Sequence, residues 1–98
     1  MMVGESMGIK VSFYGIFREV FGKPVIEVNV KDPVNIGDLL EILCDSEERR
    51  KNIFNQQGEI KANVIVQRNG RHIDSFKGNL TILDEGDEIA ILQMVCGG

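Results

Sequence analysis

The sequence predicts an α+β fold in which a mixed sheet packs on one main helix, and three observations carry that prediction. Two short segments near the start alternate apolar and polar residues. One segment in the middle places apolar residues at helical spacing. Further strand-like segments follow it, one of them leading directly into Asn69-Gly70.

Ile9-Lys10-Val11-Ser12-Phe13 alternates with period two, the mark of a strand with one buried face. A short apolar connector containing Ile16, Val20 and Phe21 leads into Gly22-Lys23-Pro24, which reads as a turn. Ile26-Glu27-Val28-Asn29-Val30 alternates again, so the first two strands are expected to form a hairpin that ends at Asp32-Pro33. From Asn35 the period changes. Ile36, Leu39, Leu40 and Leu43 stand at i, i+3, i+4 and i+7, one stripe of a helix. Asn35 is a good N-cap, and Asp38 three residues on resembles the acidic member of a capping box. Ser46 with Glu47-Glu48 marks a second helix start anchored by Ile53 and Phe54, and Gln56-Gln57-Gly58 closes this half.

Asn63-Val64-Ile65-Val66 is a third strand. Asn69-Gly70 is the strongest short hairpin signal in the chain and leads into Arg71-His72-Ile73. Asp84-Glu85-Gly86-Asp87 makes an acidic turn before the last strand, Glu88-Ile89-Ala90-Ile91-Leu92. The order β-β-α-(α)-β-β-β is a β-grasp pattern with the main helix on one face of the sheet. In the last strand Ile89 and Ile91 share one face while Ala90 and Leu92 share the other. If the helix covers the first face, the second still carries apolar side chains, which fits a surface for a partner.

Ninety-eight residues suffice for one domain. The expected division is a loose leader over 1–8, with Met7 an alternative start, a β-grasp domain over 9–92 and a flexible tail over 93–98. No apolar run is long enough to span a membrane, and the leader lacks the basic and apolar regions of an export signal, so the expected place of work is the cytoplasm. A net charge of −4 and a pI of 4.9 argue against nucleic acid, which needs clustered Lys and Arg. The one basic run, Arg49-Arg50-Lys51, follows Glu47-Glu48 and reads as a solvated helix face. Cys44 and Cys96 make neither a metal-ligand pattern nor a disulfide framework, and a single His72 adds no cluster. No metal and no bound cofactor are expected, and no nucleophile–base pair suggests an enzyme with its own active site.

Beyond Leu92 the chain reads Gln93-Met94-Val95-Cys96-Gly97-Gly98. Six extended residues reach about 20 Å, enough to enter a partner's active site while the domain stays outside. Two terminal glycines contribute nothing to the stability of a fold, because ordering them costs entropy. They present a carboxylate on backbone without Cβ atoms, able to pass through a narrow channel. A free carboxylate is a poor electrophile, so its chemistry requires activation by an ATP-dependent partner. An acyl-adenylate at Gly98 would then yield a thiocarboxylate to a sulfur donor, or an isopeptide bond to a lysine amine.

Three stretches of the chain resemble the ubiquitin-like sulfur carriers of the MoaD/ThiS type, and among them the small subunit of molybdopterin synthase. They are Phe13-Tyr14-Gly15-Ile16-Phe17-Arg18-Glu19-Val20-Phe21-Gly22, the helix opening from Asn35 to Leu40, and Leu83-Asp84-Glu85-Gly86-Asp87-Glu88-Ile89-Ala90 with Gly98 following. The resemblance implies a ubiquitin-like β-grasp fold. It also implies adenylation by an enzyme of the ubiquitin-activating type, with ATP bound and used by that enzyme rather than by the carrier. The tail would then insert into the large catalytic subunit of molybdopterin synthase, or reach another sulfur acceptor or target lysines. On this chain Gly98 becomes the sulfur-bearing residue and Gly97 the channel-fitting one, with Ala90, Leu92, Met94, Val95 and Cys96 as partner-binding candidates. Family tails commonly carry prolines after the final strand, where this one has Gln93-Met94, and a small residue where it has Cys96. Lacking prolines, the tail is expected to be more mobile before docking.

Cys44 is expected to fill the core and His72 to be an exposed strand residue. Arg18 and Glu19 read either as a local surface pair or as part of a partner interface, and the Asp84–Glu88 carboxylates read as turn chemistry first. Cys96 reads as a small substitute residue, with a role in sulfur handling as the sharper alternative. Three functions compete: a sulfur carrier, most simply in molybdopterin synthesis; a ubiquitin-like modifier or carrier for tRNA thiolation acting through Gly98; and a non-covalent interaction domain.

Overall fold

A computed structural model describes residues 7–94. Its strands are β1 (Met7–Phe13), β2 (Val25–Val30), β3 (Val64–Arg68), β4 (Arg71–His72) and β5 (Glu88–Gln93). Its helices are α1 (Ile16–Phe21), α2 (Ile36–Leu43) and α3 (Glu47–Ile53), and one-turn 3-10 helices occupy Ile73–Ser75 and Gly78–Leu80. The sheet order is β2-β1-β5-β3-β4. β1 and β5 run parallel at its centre, with Val11 opposite Ile89 and Phe13 opposite Ile91, and the other pairs are antiparallel. This is the mixed sheet that the pattern predicts.

Period-two alternation fills one sheet face with Ile9, Val11, Phe13, Val64, Val66, Ile89 and Ile91, all buried. α2 supplies the opposing layer through Ile36, Leu39, Leu40 and Leu43, the predicted stripe. Its start is fixed as expected: the Asp38 N–H donates to Asn35 Oδ1 at 2.7 Å, and the Asn35 N–H donates to Asp38 Oδ2 at 3.2 Å. Leu39 and Leu40 are wholly buried, each contributing about 1.5–3 kcal/mol of transfer free energy. α3 begins at the expected cap, where Ser46 Oγ accepts from the Arg49 N–H, and Ile53 and Phe54 anchor it.

Five expectations change. The connector after β1 is a helix, α1, which opens on Gly15 without a side-chain cap and is too short to display a period. Phe17 and Phe21, at i and i+4, face the core, and the Phe21 ring stacks on Phe13 at 4.3 Å between centroids. β1 and β2 are therefore antiparallel neighbours joined through a helix rather than by a tight turn. β1 begins at Met7 instead of Ile9, pairing Met7 with Val30, so 7–8 belong to the domain. β5 extends through Gln93, and the Met94 N–H donates to Asn63 O at 2.7 Å, so the last element outruns the expected boundary at 92. Ile73 leaves the fourth strand for a 3-10 turn and enters the core. The Asn69-Gly70 turn itself forms as predicted, with φ of 51° and 86°, the paired left-handed residues of a type I′ hairpin.

The basic run is also less solvated than expected. Arg49 lies over the Phe21 ring at 5.3 Å and donates to Val20 O and Asp45, tying α3 to α1. Arg50 pairs with Glu41 and covers Phe54, leaving Lys51 exposed.

Candidate functional site

β5 is the strand on which the predicted site is built, because two opposite demands meet on it. Its Ile89 and Ile91 are fully buried under the helices, whereas Ala90 and Leu92 are half-exposed on the opposite sheet face. Ala90 lies between Ser12 of β1 and Gln67 of β3, and Leu92 lies beside Ile65. Ile65 is half-exposed and Met94 is 51% exposed, so the apolar surface widens toward the end of β5. Toward the beginning of the strand the same face turns charged, with Lys10 between Glu27 and Glu88. The face is thus graded, apolar where the chain leaves the sheet and ionic where it enters.

Tyr14 borders this surface. Its N–H donates to Ile91 O at 3.1 Å, and its exposed ring carries the Arg18 guanidinium at 5.7 Å. Arg18 also donates from Nε to Phe13 O at 2.9 Å. Arg18 is therefore engaged with Tyr14 and the backbone rather than with Glu19.

The acidic turn fixes where β5 starts. Asp87 is buried, and its carboxylate accepts from the Asp84 N–H (2.7 Å), Arg68 Nε (2.9 Å) and Asn69 Nδ2 (3.0 Å). Burial pushes the Asp87 pKa up, but these hydrogen bonds and the Arg68 charge outweigh it and hold the carboxyl below its ordinary range. Asn69 completes the clamp: its Oδ1 accepts from the Glu88 N–H, and its own N–H donates to Glu88 O. Glu85 accepts from the Gly8 N–H. The turn chemistry expected of these carboxylates is what Asp84, Glu85 and Asp87 perform.

Cys44 is a core residue, as expected: burial pushes its thiol up to about 11, which keeps it protonated and unreactive at neutral pH. His72 is exposed and its Nδ1 accepts from the Asp74 N–H. Among the described residues no group of His, Cys, Asp and Glu is placed to hold a metal ion, and no helix is long and apolar enough to cross a membrane.

Of the predicted site residues, Ala90, Leu92 and Met94 share one end of the outer face. Val95, Cys96, Gly97 and Gly98 lie outside the described residues. Sequence reasoning missed Ile65 and Tyr14 as members of this surface. Ile65 was detectable, since Val64-Ile65-Val66 is apolar on both faces of β3 just as Ala90 and Leu92 make β5 apolar on both.

Comparison with known proteins agrees with this geometry. The ThiS family model matches residues 11–98. Small archaeal modifier protein 3 of Haloferax volcanii is 34% identical over 92 residues, covering 94% of this chain and all of that protein. The molybdopterin synthase sulfur carrier subunit of Drosophila erecta is 28% identical, covering 97% of this chain and 96% of its own. The crystal structure of SAMP1 from Haloferax volcanii superposes with a TM-score of 0.80 at 25% identity, covering 93% of this chain and 99% of its own.

Proposed function

This chain belongs to the ThiS family, and from that premise we propose that it is a sulfur carrier whose Gly98 carboxylate is activated and converted to a thiocarboxylate. The observation that carries the reading is the outer face of β5. Ala90, Leu92 and Met94 form a part-exposed apolar surface that ends two residues short of Gly97-Gly98 in the chain, which supports a role in docking.

In the first step a Gly98 carboxylate oxygen attacks the α-phosphorus of ATP in an activating enzyme of the ubiquitin-activating type, and pyrophosphate leaves. A sulfide-level donor then attacks the acyl carbon, the C–O bond to AMP breaks, and the terminus becomes a thiocarboxylate. ATP is bound and consumed by the partner, and the carrier contributes only the acyl end and the face that aligns it. Gly97 has no Cβ, which suits a narrow channel. The acceptor we favour is a molybdopterin precursor held by the large subunit of molybdopterin synthase, with the work done in the cytoplasm. The relative named as a sulfur carrier subunit supports that choice. The relative named as a modifier supports a second reading, in which a lysine amine attacks the same acyl-adenylate, AMP leaves, and an isopeptide bond forms through Gly98.

Mass spectrometry of the protein from its native cell separates the readings. Replacing oxygen by sulfur adds about 16 Da, as does oxidation of a methionine, Met94 included, or of Cys96 to its sulfenic acid, so the increment must be located on Gly98 itself. A fragment carrying it at Gly98 supports the carrier, and Gly-Gly remnants on lysines support the modifier. An unmodified carboxylate, with full activity after removal of Gly98, would refute both.

A further inference from the structure

β2 is the first strand in the sheet order, so among the described residues one of its edges has no strand partner. The Phe13 N–H donates to Pro24 O, which fixes the direction of every backbone group along the strand. By the alternation of an antiparallel ladder, Ile26, Val28 and Val30 point their N–H and C=O groups to β1, and Val25, Glu27 and Asn29 point theirs outward. Natural edges are blunted by proline, bulges, charged side chains, inward charges or a covering element. Between Val25 and Val30 this edge has no proline, no bulge and no inward charge, and its one charge is Glu27 on the outer face. Beneath the edge runs a groove between β2 and α2, whose apolar lining is Phe21, Ile26, Val28, Ile42 and Leu43, with Ile42 50% exposed, and whose charged lining is Lys23, Asp45 and Arg49.

We propose that this edge pairs with the same edge of a second copy of the chain, antiparallel about a two-fold axis at Val28. Three constraints select the register. Both sheet faces and the outward backbone groups must match, so paired residue numbers must sum to an even value. Among even sums, only 54 and 56 pair five residues of Val25–Val30 with five of the second copy, and the next ones pair three. Of these two, a sum of 54 sets Glu27 directly against Glu27 of the second copy, which is repulsive. A sum of 56 sets Glu27 against Asn29, Val25 against Lys31 and Ile26 against Val30, with Val28 facing itself. In that register the outward N–H and C=O groups of Glu27 and Asn29 exchange hydrogen bonds. Glu27 then lies diagonal to Lys31 of the second copy, an opposite-charge pair, and diagonal to Glu27 of that copy on the other side, farther apart than when directly opposed. Val28 and Val30 of the second copy extend the groove wall over Ile42. A single strand-to-strand contact of this kind buries less than a standard interface, so the dimer is weak and forms at high concentration. The edge lies on the far side of β1 from β5, which leaves the β5 face and its C-terminal end free in both copies.

Sedimentation of the full chain from about 10 μM to 1 mM tests association over the range expected of a small interface. A monomer–dimer equilibrium is expected. Val28→Lys, which opposes two ammonium groups at the axis, weakens it by about tenfold or more. Asn29→Lys sets a lysine against Glu27 and strengthens it. A non-hydrogen-bonded antiparallel pair has the Cα spacing of a disulfide. In a Cys44→Ala, Cys96→Ser background, Val28→Cys therefore crosslinks under mild oxidation faster than Glu27→Cys. A chain that stays monomeric throughout, or equal crosslinking at 27 and 28, overturns the proposal. Faster crosslinking at 27 overturns the register.

Discussion

Replacing Asp87 by alanine tests whether the acidic turn is the clamp that sets β5. The substitution removes an acceptor for three donors, the Asp84 N–H, Arg68 Nε and Asn69 Nδ2. Arg68 retains part of its environment, because its guanidinium lies over Phe76 at 5.0 Å and also reaches the exposed Asp84 carboxylate at 3.1 Å. Asn69 cannot turn freely to water, since Glu88 holds both its side chain and its backbone. Hydrogen bonds to a charged group contribute about 1.5–3 kcal/mol each, and breaking one side of a buried pair costs about 3–5 kcal/mol. With Arg68 partly compensated, the expected loss is about 3 kcal/mol, a fall in Tm of roughly 12–24 °C for a domain of this size. Urea and thermal unfolding followed by circular dichroism measure it. The sign of the pH dependence follows from the folded-state pKa, which lies below the ordinary value of 3.8. Such a carboxylate contributes stability above its unfolded pKa and loses it as pH falls through the folded one. The wild-type chain should therefore lose stability steadily below about pH 4, and the nearly isosteric Asp87→Asn variant should lose less over the same window. A cost below about 1 kcal/mol for Asp87→Ala, or an acid slope unchanged in Asp87→Asn, would refute the clamp.

Leu92→Arg is half-exposed and should change stability by less than about 1 kcal/mol, yet lower kcat/KM for adenylation by the activating partner at least tenfold. Unchanged pyrophosphate exchange kinetics would remove the outer face from the docking surface. Arg49→Met keeps a hydrophobic stem over Phe21 but loses the bonds to Val20 O and Asp45, so it should cost about 1 kcal/mol in chemical denaturation. Cys44, with its thiol raised to about 11, should resist aromatic disulfide reagents at pH 8 until the chain unfolds; rapid labelling of the native Cys96→Ser chain would contradict its burial. Cys96→Ser should leave the yield of Gly98 thiocarboxylate unchanged, and a fall in yield measured on C-terminal fragments would give that thiol a part in sulfur transfer.

What the sequence made legible were the features with a strong local cause. The α2 stripe and its Asn35–Asp38 box are dictated within nine residues, Asn35 to Leu43, and the Asn69-Gly70 turn by two residues that accept positive φ. The partition of β5 into Ile89 and Ile91 on one face, Ala90 and Leu92 on the other, follows from the pleat alone. Features set by tertiary partners were not legible. α1 is too short for its period to appear, and it is held by Phe17, Phe21 and the Phe13 ring, which come together only when β1 is in place. The engagement of Arg49 with α1 likewise depends on two segments meeting. Asp87 looked like one acidic turn residue among four, because its donors Arg68 and Asn69 lie almost twenty positions earlier in the chain.

The clamp at Asp87 and the outer face of β5 are connected by the register of a strand. A shift of one residue in the pairing of β5 would carry Ile89 and Ile91 to the outer face and bury Ala90 and Leu92. The pairing with β1 and β3 is parallel on one side and antiparallel on the other, so no tight turn alone sets it. What sets it at the start is Asn69, bonded to Glu88 through both backbone and side chain, with Asp87 holding Asn69 in position. At the other end the Met94 N–H is bonded to Asn63 O. A strand fixed at both ends holds Leu92 in a constant position beside Ile65 on the outer face. The residues that follow Met94 then start from a defined point on the sheet. On the proposed carrier reading, in which the terminus reaches a reacting atom inside another protein, that fixed origin removes one source of misplacement before the tail docks. On that proposal the buried Asp87 carboxylate would act on function through the geometry of β5.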